Sequence, residues 1–127
     1  MIKVGIVGAT GYAGAELVRL LLQRDDVKIV GFGSKSFAGE SYSKVFRSMY
    51  KYADDICEND NVLELSKKAD IIFTATPQGF LAENINDEVL ANSKVIDLSA
   101  DFRIKDVDIY EKWYKLEHKS KNLIKEA

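Results

Sequence analysis

Short apolar runs alternate along the chain with stretches in which apolar and polar residues recur at helical spacing. The apolar runs are rich in β-branched residues and predict four strands, at residues 2–7, 27–32, 70–75 and 94–98. The amphipathic stretches predict four helices, at residues 12–24, 61–68, 80–91 and 109–116. An Asn or Asp at positions 59–61 is expected to cap the second helix. Residues 34–61 are rich in Ser, Tyr and Lys, and there we expect a surface excursion with at most one short helix.

The order of these elements predicts the fold. Strands that alternate with helices at this spacing imply parallel strands joined by right-handed crossovers. The strand runs lack polar alternation, which is typical of a sheet covered by helices on both faces. We therefore predict an α/β fold, a Rossmann-type doubly wound parallel sheet in three α/β/α layers, forming one domain over residues 1–127. Ligands of such sheets bind beyond the carboxyl ends of the strands, so candidate chemistry is expected there.

Composition and charge exclude several classes of function. The 18 Lys and Arg residues against 20 Asp and Glu give a net charge of −2, which argues against a nucleic-acid-binding surface. One Cys and one His exclude a disulfide framework and a Cys/His zinc site within the chain. No apolar run is long enough for a membrane span, and the N-terminus lacks the features of a signal peptide. We expect a cytoplasmic protein with no metal, nucleic-acid or membrane partner.

Three glycines spaced by three residues follow the first predicted strand and open the first predicted helix. Gly8 permits a sharp turn, Gly11 lets the backbone approach a phosphate, and Gly14 lets the helix pack closely. Free N–H groups at the helix start suit a pyrophosphate. The spacing differs from the commoner G-x-G-x-x-G, no P-loop lysine follows, and a plain structural turn is the alternative. The motif predicts a dinucleotide site that contains Gly8, Thr10, Gly11, Tyr12, Ala13 and Gly14.

The end of the second predicted strand indicates which dinucleotide binds. An NAD site usually has Asp or Glu here to hold the ribose 2′-hydroxyl, whereas this strand continues into Ser34, Lys35 and Ser36. Asp25 and Asp26 lie at the opposite end of the strand. Two hydroxyls and an ammonium suit the 2′-phosphate of NADP(H), which is therefore the predicted cofactor. The alternative is that residues 34–36 form only a solvated turn.

The third and fourth strand ends carry further candidates. Ala75 and Pro77 belong to a segment of small residues over which a cofactor can lie, although an ordinary strand-to-helix turn explains them nearly as well. Ser99 and Arg103 follow the fourth strand, where a guanidinium can hold a phosphate or carboxylate with two hydrogen bonds. The alternative for this loop is an Asp–Arg pair with a purely structural role.

Several of these segments resemble the N-acetyl-gamma-glutamyl-phosphate reductases, an NADP-dependent family of arginine biosynthesis. Residues 8–17 resemble its N-terminal fingerprint, and residues 38–43 and 77–79 are similar to its next two motifs. The string DLSADFR at residues 97–103 is the most specific, because related semialdehyde dehydrogenases share the glycine motif but not this string. The segments occur in the family's order and extend over most of the chain.

The resemblance implies a reaction, the reductive dephosphorylation of N-acetylglutamyl 5-phosphate to N-acetylglutamate 5-semialdehyde. In this family a cysteine thiolate attacks the acyl phosphate, phosphate leaves, and hydride from NADPH reduces the thioester. A histidine from a second domain acts as acid and base. Resemblance to the wider semialdehyde dehydrogenase group implies that Arg103 binds the substrate phosphate, and that Ser99 is a further candidate near the cofactor or this phosphate. The full-length enzyme is expected to be a homo-oligomer.

The chain departs from the family at the catalytic residues. The family's nucleophile lies in an Asn-Pro-Gly-Cys motif, which this sequence lacks. Cys57 matches no family nucleophile and is interpreted as an incidental thiol, and His118 is interpreted as a solvated residue. The family usually has His at the position of Gln78 and Pro at that of Arg47. We therefore expect an NADP-binding domain without catalytic residues of its own, inactive alone, whose catalytic and dimerisation domain lies outside this chain.

Three alternative functions are compatible with a glycine motif after a strand. The first is the cofactor domain of a related semialdehyde dehydrogenase. The second is a non-catalytic module that senses nucleotides, although no DNA-binding or dimerisation segment is apparent. The third, a complete short-chain dehydrogenase, is disfavoured because residues 110–115 contain no Tyr-x-x-x-Lys pair. Trp113 and Leu116 are expected on a helix face that a second domain normally covers.

Overall fold

Four parallel strands form the centre of the protein, whose computed structural model describes residues 1–127. The strands are β1 (Ile2–Val7), β2 (Val27–Gly33), β3 (Ile71–Thr74) and β4 (Lys94–Asp97). They lie in the order β2-β1-β3-β4, with β1 paired in parallel to both β2 and β3, and β4 paired to β3. The four predicted strands and their parallel arrangement are confirmed.

Six α-helices and two 3-10 helices connect or follow the strands. The α-helices are α1 (Tyr12–Leu21), α2 (Tyr42–Val45), α3 (Val62–Ser66), α4 (Phe80–Asn84), α5 (Asp87–Asn92) and α6 (Val107–Tyr114). The 3-10 helices are Arg47–Met49 and Lys121–Glu126. No helix combines the length and apolar character that crossing a bilayer requires.

The core is divided between the two faces of the sheet because side chains alternate along each strand. Val4 and Ile6 of β1 point to one face, where they pack in a buried cluster with Val18 of α1. Val7 points to the other face and belongs to a second cluster with Leu65 of α3. The predicted three-layer architecture is therefore confirmed. Coverage is incomplete at the edge strand β4, where Ile96 is 43 % exposed.

The excursion after β2 folds back against the carboxyl end of that strand. The backbone N–H of Glu58 donates to Phe32 O, and that of Ser34 donates to Glu58 O, both at 2.8 Å. Tyr42 of α2 is fully buried and stacks on Phe32, with ring centroids 4.6 Å apart. The excursion contains the 3-10 helix Arg47–Met49 besides α2, one helical turn more than predicted.

Side-chain caps decide where several helices begin. Asn61 caps α3 by accepting a hydrogen bond from the N–H of Glu64, which confirms the expected cap. The single helix predicted over 80–91 is wrong, because the Asn86 side chain accepts from the N–H of Val89 and starts α5 as a separate helix. Asp106 caps α6, so this helix begins two residues earlier than predicted. The 3-10 helix Lys121–Glu126, which buries Leu123 and Ile124, has no counterpart among the predicted elements.

The residue that follows helix α6 has an unusual backbone conformation. Lys115 has φ 56° and ψ 39°, in the left-handed region that glycine adopts most easily. Trp113 lies on α6 and is 74 % exposed, whereas Leu116, 40 % exposed, lies beyond the end of this helix, so its predicted place on a helix face is wrong. Coverage of this surface by a second domain stays a prediction.

Replacing Lys115 by Gly should raise the free energy of unfolding by about 1 kcal/mol, because the left-handed conformation costs an L-residue roughly that amount. Urea unfolding followed by circular dichroism measures the change. Lys112→Gly is the matched control, and it should lower the free energy by about 1 kcal/mol because Lys112 lies inside α6. A loss of stability in both variants would contradict the strain at Lys115.

Candidate functional site

A cleft of about 840 Å³ opens at the carboxyl edge of the sheet. The segments after β1, β2 and β3 line it, and Lys115, Leu116, Glu117 and Lys119 form a further wall. The structure brings seven of the predicted cofactor residues into this lining: Gly8, Thr10, Gly11, Lys35, Ser36, Ala75 and Pro77. Four others lie outside it, namely Tyr12, Ala13, Gly14 and Ser34.

The glycine loop depends on close backbone contacts. Gly8 has φ 81°, and a Cβ built on it would lie 2.2 Å from Ala75 O in the segment after β3. A Cβ on Gly14 would lie 2.1 Å from Gly8 O. Gly11 differs, because the nearest atom to its Cβ would be Gly8 O at 3.6 Å, an ordinary contact distance. The space beside Gly11 is therefore open, as backbone approach by a phosphate requires.

The first turn of α1 directly follows the glycine loop and has no capping side chain. Gly11 is the N-cap residue and supplies no side-chain acceptor, so the cap leaves the first N–H groups of this ten-residue helix unpaired. Tyr12 is 98 % exposed and Ala13 is also exposed, at the start of the helix. Cofactor contacts from Tyr12, Ala13 and Gly14 stay predictions.

The glycine loop is held in place by the last residue of β2 and by the excursion that follows this strand. Gly33 O accepts from the N–H groups of Gly8 and Ala9, at 2.9 and 3.0 Å. The hydroxyl of Tyr42 donates to Ala9 O at 2.7 Å, and burial raises the pKa of this phenol. Residues 38–43 were singled out only by resemblance, and the structure gives Tyr42 a physical task, because it anchors the loop.

The turn that follows β2 separates its three predicted phosphate ligands. Ser34 is buried, and its Oγ shares a 2.8 Å hydrogen bond with Thr10 Oγ1 and accepts from Phe37 N at 3.1 Å. Lys35 and Ser36 are exposed and line the cleft. The Ser34 hydroxyl thus joins this turn to the glycine loop, whereas Lys35 and Ser36 remain available to a ligand.

The loop after β4 is braced by a chain of polar contacts. Asp97 accepts hydrogen bonds from Thr74 Oγ1 at 2.8 Å and from Ser99 Oγ at 2.6 Å. Ser99 Oγ in turn accepts from the N–H of Asp101 at 3.2 Å, and Ser99 is 5 % exposed. The Ser99 hydroxyl is therefore engaged within its own loop.

The loops after β3 and β4 are connected by hydrogen bonds in both directions, because each loop has a side chain that accepts from a backbone N–H of the other. The buried carboxylate of Asp101 accepts from Gly79 N at 2.8 Å, from Ala82 N at 3.1 Å and from the Tyr110 hydroxyl at 2.6 Å. In the other direction, Gln78 Oε1 accepts from Ala100 N at 2.7 Å. Burial, followed by the hydrogen bond to Asp101, raises the pKa of Tyr110.

Arg103 lies outside the dinucleotide cleft. It is exposed and forms no ion pair, so the alternative of an Asp–Arg pair in this loop is wrong, because Asp101 is satisfied by backbone N–H groups and a phenol. Arg103 and Ser99 line a second cavity of about 450 Å³ beside β4, together with apolar side chains such as Leu90 and Phe102. The structure therefore keeps the two phosphate-binding candidates apart from the glycine loop.

The prediction that His118 is solvated is wrong. It is 2 % exposed, its Nε2 bonds to Asp101 O, and its Nδ1 accepts from the N–H of Ser120 at 3.1 Å. The ring also packs edge-on against Phe102 and Tyr110. Asp101, distant in sequence, thus supplies the partner of Nε2, and Ser120, two residues away, supplies that of Nδ1. The charged sequence around His118 does not reveal this burial.

Cys57 has the properties of a structural thiol. It is 2 % exposed and belongs to the core cluster beside α1, and burial, followed by the charge of Glu40, raises its pKa. A raised pKa disfavours the thiolate that nucleophilic attack requires.

Several lining residues of the cleft were not found from the sequence. Thr76 lies between Ala75 and Pro77 but is not among the predicted cofactor residues. Its Oγ1 is the single buried side-chain N or O atom without a hydrogen-bond partner. Asp60 reaches the cleft because the excursion returns to the end of β2. Lys115 and Lys119 follow a helix, so a search of strand ends could not find them.

Gly14→Ala should lower the free energy of unfolding by about 2–3 kcal/mol, because its methyl group would overlap Gly8 O. Gly11→Ala is the matched variant in the same loop, and it should cost less than about 1 kcal/mol because its surroundings are open. Denaturant unfolding of both variants provides the comparison. Equal losses would show that close backbone contact at Gly14 does not determine the stability of the loop.

Comparison with known proteins identifies relatives that have a dinucleotide-binding domain. The family model described as semialdehyde dehydrogenase, NAD binding domain, matches residues 3–124. N-acetyl-gamma-glutamyl-phosphate reductase from Lachnospira eligens is 59 % identical over 127 residues, all of this chain and 36 % of that protein. The reductases from Lachnoclostridium phytofermentans and Campylobacter jejuni are 55 % and 45 % identical, over 100 % and 99 % of this chain and 37 % and 36 % of their own lengths.

These relatives confirm the resemblance inferred from the motifs, and the chain spans about 36 % of the length of the first of them. A solved structure, aspartate semialdehyde dehydrogenase with NADP from Candida albicans, has a similar fold, with a TM-score of 0.60 and 18 % identity. That similarity covers 84 % of this chain and 32 % of the other. Because the family model matches nearly the whole sequence, the chain belongs to the family of semialdehyde dehydrogenase NAD-binding domains.

Proposed function

We propose that this chain is the NADP(H)-binding domain of an N-acetyl-gamma-glutamyl-phosphate reductase. The complete enzyme would reduce N-acetylglutamyl 5-phosphate to N-acetylglutamate 5-semialdehyde, with release of phosphate. The observation that carries the proposal is the glycine loop, which opens with Lys35 and Ser36 onto one cleft. Relatives named for this reductase match along the whole chain and support the choice of enzyme.

The residues of the cleft fit a dinucleotide. Gly8 and Gly11 leave backbone exposed to the cleft, and the first N–H groups of α1 are not used by a capping side chain. These donors and the positive end of the helix suit a pyrophosphate. The unpartnered hydroxyl of Thr76 in the same lining supplies a further polar group that the chain itself does not satisfy. NADPH, when bound, supplies the hydride for the reduction.

Selection of NADP(H) over NAD(H) is proposed for Lys35 and Ser36. Both follow β2, where the adenosine ribose is bound in sheets of this kind, and the ammonium and hydroxyl suit a 2′-phosphate. Asp60 lines the same cleft, and its carboxylate would disfavour a 2′-phosphate placed next to it. Lys35 and Asp60 therefore act in opposite directions on cofactor selection. Ser34 contributes indirectly, since its hydroxyl holds the turn that presents both ligands.

Arg103 is the proposed ligand of the substrate phosphate. Its guanidinium is exposed at the second cavity and forms no ion pair that would compete for it. Ser99 lies in the same cavity, but its hydroxyl is already bonded to Asp97 and to the N–H of Asp101. We therefore assign the direct phosphate contact to Arg103, and to Ser99 the positioning of the loop.

The nucleophile and the acid–base residue are proposed to lie outside these 127 residues. Cys57 is buried with a raised pKa, and both ring nitrogens of His118 are hydrogen-bonded in the core. We therefore expect cofactor binding but no turnover by this chain. A cytoplasmic location and a homo-oligomeric full-length enzyme are part of the same proposal.

Titration of the chain with NADPH and NADH, followed by calorimetry, tests the proposed cofactor. NADPH should bind at least about tenfold more tightly than NADH, because a charge-assisted hydrogen bond to the 2′-phosphate contributes about 1.5 kcal/mol or more. Absence of NADPH binding at millimolar concentration would contradict the proposal.

Lys35→Ala should reduce the preference for NADPH about tenfold, and Asp60→Asn should increase it about threefold because a repulsive charge is removed. The ratio of the two dissociation constants is the measurement for each variant. Lys28→Ala removes the same charge from the exposed opposite part of β2 and serves as the control. An equal effect of Lys28→Ala and Lys35→Ala would indicate general electrostatics and exclude a specific phosphate contact.

A further inference from the structure

The hydroxyl of Thr76 lacks a partner in a structure that otherwise satisfies its buried side-chain polar groups. Its Oγ1 is the single atom of this kind. Thr74, two residues earlier, shows the usual situation, because its Oγ1 donates to Asp97 at 2.8 Å. A buried hydroxyl without a hydrogen bond destabilises the folded state, so the unpaired Thr76 hydroxyl requires an explanation.

The position of Thr76 suggests that a ligand supplies the missing partner. Thr76 lines the cleft and is partly exposed as a residue, although its Oγ1 is not. Its Cγ2 lies on the side of Gly8, 3.3 Å from where a Cβ on that glycine would stand. Rotation about the Cα–Cβ bond moves the hydroxyl to another staggered position, so it can turn to a molecule in the cleft.

The order of the strands indicates which part of a dinucleotide would lie there. β1 stands between β2 and β3, and the glycine loop follows β1. The adenosine half is proposed to lie toward β2, near Lys35 and Ser36, on one side of this loop. The other half must then pass Gly8 toward the end of β3, where Thr76 lies.

We infer that the Thr76 hydroxyl is a cofactor-binding group that donates a hydrogen bond to an oxygen of the nicotinamide–ribose half of the dinucleotide. The inference rests on the proposed binding of NADP(H) and adds a specific contact to it. Binding would give the hydroxyl the partner that the chain alone does not provide. Thr76 then lowers the stability of the free chain and raises its affinity for the complete cofactor.

Thr76→Val is the informative variant because valine keeps the shape and removes only the hydroxyl. NADPH affinity should fall about three- to tenfold, the range expected for one net hydrogen bond. Adenosine 2′,5′-bisphosphate, which lacks the nicotinamide half, should bind Thr76→Val and the wild type equally. Thr76→Ser keeps the hydroxyl and should retain wild-type affinity for NADPH.

Thermal unfolding of the free chain provides a second measurement with opposite signs for two matched variants. The midpoint should rise in Thr76→Val, because an unpaired hydroxyl is removed. It should fall in Thr74→Val, because Asp97 loses a donor.

Each remaining outcome overturns the inference. Unchanged NADPH affinity in Thr76→Val would show that the hydroxyl is not used, and equal loss for NADPH and adenosine 2′,5′-bisphosphate would show a distorted loop. Equal weakening in Thr76→Ser and Thr76→Val would assign the effect to packing. Failure of the wild type to bind NADPH would overturn the proposed function as well, whereas wild-type binding with an unaffected Thr76→Val overturns only this inference.

Discussion

The close approach of three backbone segments is the constraint on which the rest of the structure depends. Gly8 O occupies the space that a Cβ on Gly14 would need, and Ala75 O occupies the space of a Cβ on Gly8. Strand β1, helix α1 and the segment after β3 can meet only because neither glycine has a side chain. The same approach leaves backbone donors uncovered beside Gly11, where a pyrophosphate can reach them.

The loops around the glycine motif are held in place by residues that do not line the cleft. Ser34 joins the turn after β2 to the glycine loop, Tyr42 supports Ala9 from beneath, and Asp101 links the loops after β3 and β4. Each of these side chains is buried, so it competes with little water for its hydrogen bonds. These hydrogen bonds therefore fix the shape of the cleft in the free chain. The polar residues near the strand ends form two groups, those that hold the loops and those that remain free to bind a ligand.

Local pattern was sufficient for the strands, the first helix and the glycine loop, because these depend on neighbouring residues and on backbone conformation. It failed at the helix predicted over 80–91, since the apolar spacing continues across Asn86 while the side chain of that residue starts a new helix. It failed again at His118, where charged neighbours indicate solvent and the ring packs against Phe102 and Tyr110. Burial of this histidine depends on contacts that no short window of sequence contains.

The sequence by itself determined the parallel α/β fold, the place of the dinucleotide loop and the absence of a carboxylate directly after β2, because periodicity and glycine spacing are local properties. Only the tertiary structure decided which polar groups face the cleft. It turned Lys35 toward the ligand side and buried Ser34 beside it, brought Asp60 back to the same cleft, and left Thr76 Oγ1 without a partner. The physical reason is that exposure and hydrogen-bond partnership arise between segments that meet only when the chain is folded.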